Sequence, residues 1–88
     1  MNKLDLKTKE KQIQFYEKVG LYVKSKMVLA KATQQEVADY LDISRVSLLN
    51  KLSGRFAFTV DEIILLINRV GIDFNEIVRL YNDVFVPF

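Results

Sequence analysis

The sequence predicts an all-α domain of five helices, and three observations lead to that prediction. Apolar residues recur at spacings of three and four through most of the chain, which is the period of a helix that buries one side. Three tetrapeptides carry the signature of a helix N-terminus. With three glycines and one proline among 88 residues, little of the chain is left for long loops. Residues 1–88 are therefore expected to form one compact domain.

The first predicted helix covers about 20 residues, from Lys9 to Ala30. Its apolar stripe consists of Ile13, Tyr16, Val19 or Gly20, Val23, Met27 and Ala30. Gly20 marks either a bend, which would divide the segment into two helices, or a close crossing with another helix. The charged residues before this segment are expected to extend the helix or to form an N-terminal arm.

The later helices are predicted from their N-terminal signals. Thr33–Glu36 and Thr59–Glu62 fit the capping box, in which the threonine hydroxyl accepts from the third helical amide and the glutamate reaches back. Asp73–Glu76 is the same device with aspartate as the cap, and Ser44 is a suitable cap for one more helix. These signals place helix starts near residues 34, 45, 60 and 74, and Gly71 is expected to end the fourth helix. The core positions expected in these helices, besides the leucines of the third, are Val37, Ala38, Leu41, Val60, Ile63, Ile64, Ile67, Phe74, Ile77, Val78 and Tyr81.

The composition argues against several classes of protein. Cysteine and histidine are both absent, so disulfides and the usual structural zinc sites are excluded, and the side chain best suited to proton transfer at neutral pH is missing. There is no glycine-rich phosphate loop, and we expect neither enzymatic activity nor a cofactor. No apolar run is long enough to span a bilayer, and residues 1–12 lack the apolar segment of a signal peptide. A cytoplasmic protein is the expectation.

The charges are divided unevenly along the chain. Residues 1–55 carry 11 Lys+Arg against 6 Asp+Glu, a net +5, whereas residues 56–88 carry 2 against 5, a net −3, which together give the overall +2. A basic part beside an acidic part indicates one surface that faces a polyanion and another that does not. The alternative for the lysines at the N-terminus is a solvated tail.

Residues 34–53 are predicted to form a helix-turn-helix unit. Two helices of about eight residues, joined by about three, can bury their apolar sides only by crossing steeply against each other and their neighbours. Ala38 is small where the two helices would approach most closely. Ile43 in the turn and Leu48 in the second helix would be the buried side chains that pack between the two helices.

The second helix of this unit has a polar side without any acid. At about 100° per residue, Leu48, Leu49 and Leu52 share the core side, and the opposite side carries Val46, Ser47, Asn50 and Lys51. Arg45 lies in the first turn. Arginine can grip guanine and asparagine can grip adenine through two hydrogen bonds, and a small apolar group can contact the thymine methyl. The hypothesis is that Arg45, Val46, Ser47 and Asn50 contact bases in the major groove, although Val46 could instead belong to the core.

The segment "TQQEVADYLDISRVSLLNKLSG" resembles the helix-turn-helix of the Cro and lambda-repressor-like family of phage and bacterial regulators. Its continuation "RFAFTVDEIILLINRVGIDFNEIV" looks like the following helices of that family, and the resemblance covers about residues 22–80. It implies a compact five-helix DNA-binding domain with the third helix in the major groove. The positions that it matches to DNA phosphate contacts are Gln34, Ser44, Lys51 and Arg55. Asp42 departs from the family pattern, which usually has glycine in the turn.

The C-terminal segment 83–88 is strongly apolar. Val84, Phe85, Val86 and Phe88 either dock onto their own domain or form a dimer contact, and the dimer is the favoured alternative. A twofold dimer would read two half-sites about one DNA turn apart.

These observations lead to two hypotheses of function. The first is a sequence-specific regulator of transcription that binds double-stranded DNA, expected to be a repressor of phage or mobile-element type acting as a homodimer. The second is a helical protein-interaction module, an antirepressor or adaptor, that binds a protein partner through its apolar C-terminal segment. Neither requires a membrane or a small-molecule substrate.

Overall fold

The computed structural model describes residues 3–86, with side chains from residue 7 onward, and contains five helices without any strand in that range. The helices are α1 (Lys3–Leu29), α2 (Gln34–Leu41), α3 (Arg45–Leu52), α4 (Val60–Val70) and α5 (Phe74–Phe85). The all-helical fold class and the four predicted helix starts are confirmed. The first helix is longer than predicted and runs through Gly20 without a break.

Gly20 is the point at which α1 crosses the end of α3. A Cβ atom at this position would overlap the backbone carbonyl of Leu52, so only glycine allows the two helices to lie this close. Gly54 approaches Glu17 of α1 in the same way, with a φ of 84° that favours glycine. Of the two alternatives for Gly20, the close crossing is therefore correct. It fixes the C-terminal end of α3 against α1.

The two predicted capping boxes are present. In each, the threonine hydroxyl of Thr33 or Thr59 accepts from the backbone amide of the glutamate three residues later, and that glutamate accepts from the threonine amide. Asp73 caps α5 differently, because its carboxylate accepts from the Asn75 amide at 2.8 Å while Glu76 pairs with Arg79. The C-cap Gly71 has a φ of 72°, as predicted for a left-handed helix end.

The core lies where α1 crosses α3 and α4 and where α2 packs against α3 and α4. Its buried apolar members are Val19, Val23, Met27, Val37, Ala38, Leu41, Leu48, Leu52, Leu66, Val70 and Ile72. Ala38 and Leu48 are both fully buried, as the predicted close packing of α2 on α3 requires. Helix α5 packs against α1.

Several positions predicted to be core lie at the surface instead. On α4, Val60 is 77% and Ile64 52% exposed, and the helix turns Leu66 and Val70 toward the core. On α5, Phe74 is 57% exposed. Other predicted core positions that are exposed are Ile13, Ala30, Ile67, Val78 and Tyr81. The reason is that α4 and α5 carry apolar residues on more of their circumference than the neighbouring helices cover, and periodicity does not reveal which side is covered.

Candidate nucleic-acid interface

Helices α2 and α3 are joined by the three-residue turn Asp42–Ser44. Asp42 adopts the left-handed conformation with φ 57° and ψ 45°, which an aspartate tolerates better than most side chains. The Ile43 amide then donates to the Ala38 carbonyl at 3.0 Å, which turns the chain out of α2. Ser44 caps α3, because its hydroxyl accepts from the Ser47 amide at 3.0 Å. The sequence therefore builds a tight connection that holds two eight-residue helices at a fixed angle.

The side of α3 that points away from the core carries the four predicted base-contacting residues. Arg45 and Val46 are exposed, and Ser47 and Asn50 are half-buried. Val46 is 67% exposed, so the alternative that placed it in the core is wrong. Arg45 and Val46 are thus the solvent-exposed part of this face, and α3 itself contains no acidic residue.

Arg45 lies against the first residue of α2. Its Nη2 donates to the side-chain oxygen of Gln34 at 3.3 Å, so two of the predicted DNA-contacting residues, one from each helix, are neighbours in space. Arginine has five N–H donors, and one hydrogen bond to an amide oxygen leaves the others available for a ligand. The contact restricts the position of the guanidinium, at the edge where the N-termini of α2 and α3 meet.

The C-terminal end of α3 positions Arg55. The backbone carbonyl of Asn50 accepts from the Arg55 amide at 2.9 Å and from the Ser53 hydroxyl at 2.9 Å. The chain is thereby folded back beside the last turn of α3, with the Arg55 side chain exposed. Within residues 7–86 the Arg55 guanidinium forms no ion pair, so it remains a cation that an anionic ligand can reach.

Lys51 does not fit its predicted role as a phosphate contact. Its ammonium lies 2.6 Å from both carboxylate oxygens of Glu62 on α4, and the two side chains are only 13% and 9% exposed. The cation is directed toward α4 rather than outward. The correction follows from the packing of α3 against the start of α4, which the spacing along one helix could not indicate.

Glu62, which sequence reasoning identified only as a helix cap, is also the partner of Lys51. Among residues 7–86 it is the one charged side chain that is buried. Burial raises the pKa of its carboxyl, but the hydrogen bonds and charge of Lys51 together with the hydrogen bonds from Thr59 outweigh that effect, so the pKa lies below its ordinary value. Glu62 is therefore held as a carboxylate that joins α3 to the N-terminus of α4.

Leu49 was predicted to lie in the core but is 40% exposed. It borders an open cavity of about 380 Å³ between α1 and the α2–α3 pair. The cavity is lined by Glu17, Leu21, Lys24, Gln34, Leu49, Leu52 and Ser53. The lining combines three leucines with four polar residues, which include one charge of each sign. It opens beside Gln34, at the edge of the surface that carries Arg45.

One residue of the C-terminal segment shows the docking alternative. Phe85 docks onto its own domain: its ring stacks on Tyr81 with centroids 4.7 Å apart and meets the edge of Phe15 at 6.3 Å. Val84 is half-buried and Val86 is 45% exposed. Phe88 lies outside the described residues.

Two other kinds of site were sought among the described residues. No group of three or more acidic, cysteine or histidine side chains there could hold a metal ion. None of the described helices has the length and apolarity needed to cross a bilayer. Comparison of the chain with protein-family models, with curated proteins and with solved structures gives no match in any of the three.

Proposed function

We propose that this chain is a sequence-specific DNA-binding regulator of the lambda-repressor-like class, with α2 and α3 as its helix-turn-helix and α3 as the recognition helix. One observation carries the proposal: the exposed side of α3 is free of acids, and its Arg45 lies against Gln34 at the N-terminus of α2. Two helix N-termini and a guanidinium thus meet on one surface, where backbone amides and positive charge favour an anion such as DNA phosphate.

The dimensions of α3 suit the major groove. An α-helix with its side chains is about 10–12 Å in diameter, which matches the roughly 12 Å width of the major groove of B-DNA. Arg45 and Asn50 offer hydrogen bonds to base edges, and Val46 offers a methyl contact. Ser47 lies between them and can bond to either bases or phosphate.

Phosphate contacts are assigned to the margins of this face. Gln34 and Ser44 lie at the N-termini of α2 and α3, and Arg55 follows the end of α3. These positions flank the recognition helix at both of its ends, which would fix its depth and register on the duplex. Lys51 is left out of this set because its ammonium is paired with Glu62.

In this proposal the protein acts as a homodimer, because one helix of this length reads too few base pairs to select an operator alone. The exposed Val86, the half-buried Val84 and Phe88 beyond the described residues remain the proposed dimer contact. Phe85 is assigned to the domain itself, since its ring packs on Phe15 and Tyr81. Occupation of an operator by such a dimer would repress transcription, as in phage and mobile elements.

A second candidate function, a helical protein-interaction module, is favoured by a different observation. Large apolar side chains are exposed on α4 and α5, among them Val60, Ile64 and Phe74 at 77%, 52% and 57%. Surfaces of this kind commonly mark protein contacts. They are compatible with a DNA-binding dimer, but they would also serve an adaptor that does not bind DNA.

Selection of bound sites from random duplexes, followed by titration at two salt concentrations, separates the two functions. A DNA-binding regulator is expected to enrich a site with twofold symmetry and to lose affinity steeply as salt rises. The variant Arg45→Ala, which leaves the core untouched, is the matched control and should weaken the preference at the base pairs that Arg45 contacts by about 1–3 kcal/mol. Failure of the wild-type protein to enrich any sequence would refute the proposal in favour of the protein-interaction module.

A further inference from the structure

Glu62 lies where the recognition helix meets α4. Its Oε1 accepts from the Lys51 ammonium at 2.6 Å and from the Thr59 amide at 2.8 Å, so a single carboxylate binds α3 and caps α4 at the same time. The pair is largely shielded from water, with 13% and 9% of the two side chains exposed. Ion pairs that water reaches less are screened less by salt, so this contact persists under conditions in which surface pairs weaken.

Lys51 stands at the border of the proposed DNA-contacting face. It follows Ser47 by four residues and therefore lies one helical turn below it on the same side of α3. A lysine carries a compact charge on a flexible four-carbon stem, which binds any phosphate without regard to base sequence. Its position would bring the ammonium to the DNA backbone if Glu62 did not hold it.

The other capping glutamate of the chain provides a contrast. Glu36 caps α2 in the same manner as Glu62 caps α4, but its partner Arg69 is 31% exposed and Glu36 itself 52% exposed. Capping a helix therefore does not require the burial and the close lysine seen at Glu62. The additional feature of Glu62 is that it neutralises a cation of the recognition helix.

We propose that Glu62 is a specificity-determining positioning residue, which withholds Lys51 from DNA phosphates and ties the recognition helix to α4. This inference rests on the proposed DNA-binding function. Sequence-independent affinity is kept low because one cation beside the groove is neutralised, and base contacts are kept selective because α3 is held in one orientation. Specificity depends on the ratio of the affinity for the operator to the affinity for random DNA, rather than on either affinity alone.

The test measures binding of Glu62→Gln to the selected operator and to a random duplex over a range of salt concentrations. Glutamine retains an oxygen that can accept from Thr59, but it has no charge to hold Lys51. One additional phosphate contact is expected to steepen the slope of log affinity against log salt on random DNA by about 0.9, which is about an eightfold gain at 0.1 M salt. The ratio of operator affinity to random affinity is expected to fall, because a loosened α3 weakens the base contacts.

Two further variants identify the cause. Glu36→Gln changes the net charge by the same amount at the matching cap and is expected to leave the salt slope as in wild type. The double variant Lys51→Met/Glu62→Gln is expected to return the slope to the wild-type value. Circular dichroism of each variant confirms that the helices are retained.

The outcomes distinguish this inference from the function on which it rests. If wild type binds its operator but Glu62→Gln keeps the wild-type slope, the role of Glu62 is overturned while the DNA-binding function stands. The role of Glu62 is also overturned if Glu36→Gln steepens the slope equally, or if the double variant keeps the steeper slope of Glu62→Gln. If wild type binds no duplex at all, the proposed function fails and this inference fails with it.

Discussion

Replacement of Lys51 by methionine is expected to destabilise the fold. The expected loss is far larger than for an ordinary residue on the polar side of a helix. Methionine keeps the length of the side chain and removes the charge, so Glu62 is left as a carboxylate only 9% exposed that retains the Thr59 amide as a partner. Breaking a buried ion pair costs about 3–5 kcal/mol. Since the remaining amide hydrogen bond and partial access of water offset part of this, we expect a loss of about 2 kcal/mol in the free energy of unfolding.

The matched control is Arg69→Met, which breaks the pair with Glu36. Both partners of that pair are substantially exposed, at 31% and 52%, and such pairs contribute only about 0–1 kcal/mol. In a domain of this size a change of 1 kcal/mol moves the melting temperature by about 4–8 °C. Thermal unfolding followed by circular dichroism should therefore show a drop of about 8–16 °C for Lys51→Met and of less than about 8 °C for Arg69→Met.

The pH dependence gives a second readout of the same contact. The pKa of Glu62 in the folded chain lies below its ordinary value, so its ionised form contributes stability at neutral pH, and that contribution is lost as pH falls through the folded pKa. In Lys51→Met the burial of Glu62 acts without the lysine, so the carboxyl takes up a proton at higher pH than in wild type. The stability difference between the two proteins should be largest near neutral pH and shrink in acid. Equal melting temperatures for Lys51→Met and Arg69→Met at pH 7 would refute this reasoning.

Four other outcomes are expected. Arg45→Ala and Asn50→Ala should each cost about 1–3 kcal/mol at particular base pairs, measured by competition between operator variants, and uniform losses would contradict the base-contact assignment. Arg55→Ala should reduce the salt slope by about 0.9 on every duplex, and an unchanged slope would remove it from the phosphate contacts. Gly20→Ala should lower the free energy of unfolding by about 2 kcal/mol in chemical denaturation, because the added Cβ meets the backbone of Leu52 and overpacking should reach the upper end of about 1–3 kcal/mol, against roughly 1 kcal/mol gained in helix propensity. A more stable variant would show that α1 and α3 move apart at little cost. Removal of residues 86–88 should leave the helices intact and lower the dimer fraction in sedimentation, whereas an unchanged dimer would place the contact elsewhere.

The local signals in this sequence were sufficient for most of the secondary structure. Each of the caps Thr33, Ser44, Thr59 and Asp73 acts through hydrogen bonds to amides two or three residues away, so the chain itself specifies where a helix begins. The exposure of Arg45 also follows from its place in the first turn of α3, whereas for Val46 the sequence left a place in the core open. The exception is Glu76, which was expected to complete a capping box but pairs with Arg79 instead.

The distribution of apolar residues on α4 misled the sequence reasoning for a physical reason. The helix carries isoleucine, leucine or valine on most of its circumference, and burial requires a neighbouring helix on that side. The crossing of α1, α2 and α4 covers Leu66 and leaves Ile64 exposed. The direction from which a neighbour approaches is not encoded in the periodicity of the covered helix.

The sequence by itself determined the all-helical class, the starts of the last four helices and the acid-free side of α3, because these depend on residues at most one or two turns apart. Tertiary structure alone decided which cations remain available. Lys51 and Glu62 are 11 positions apart and on different helices, yet their charged atoms lie 2.6 Å apart, whereas Arg55, only four residues from Lys51, is exposed. A charge is neutralised by whatever folds against it, and that is settled by how α3 and α4 pack rather than by the order of residues along either helix.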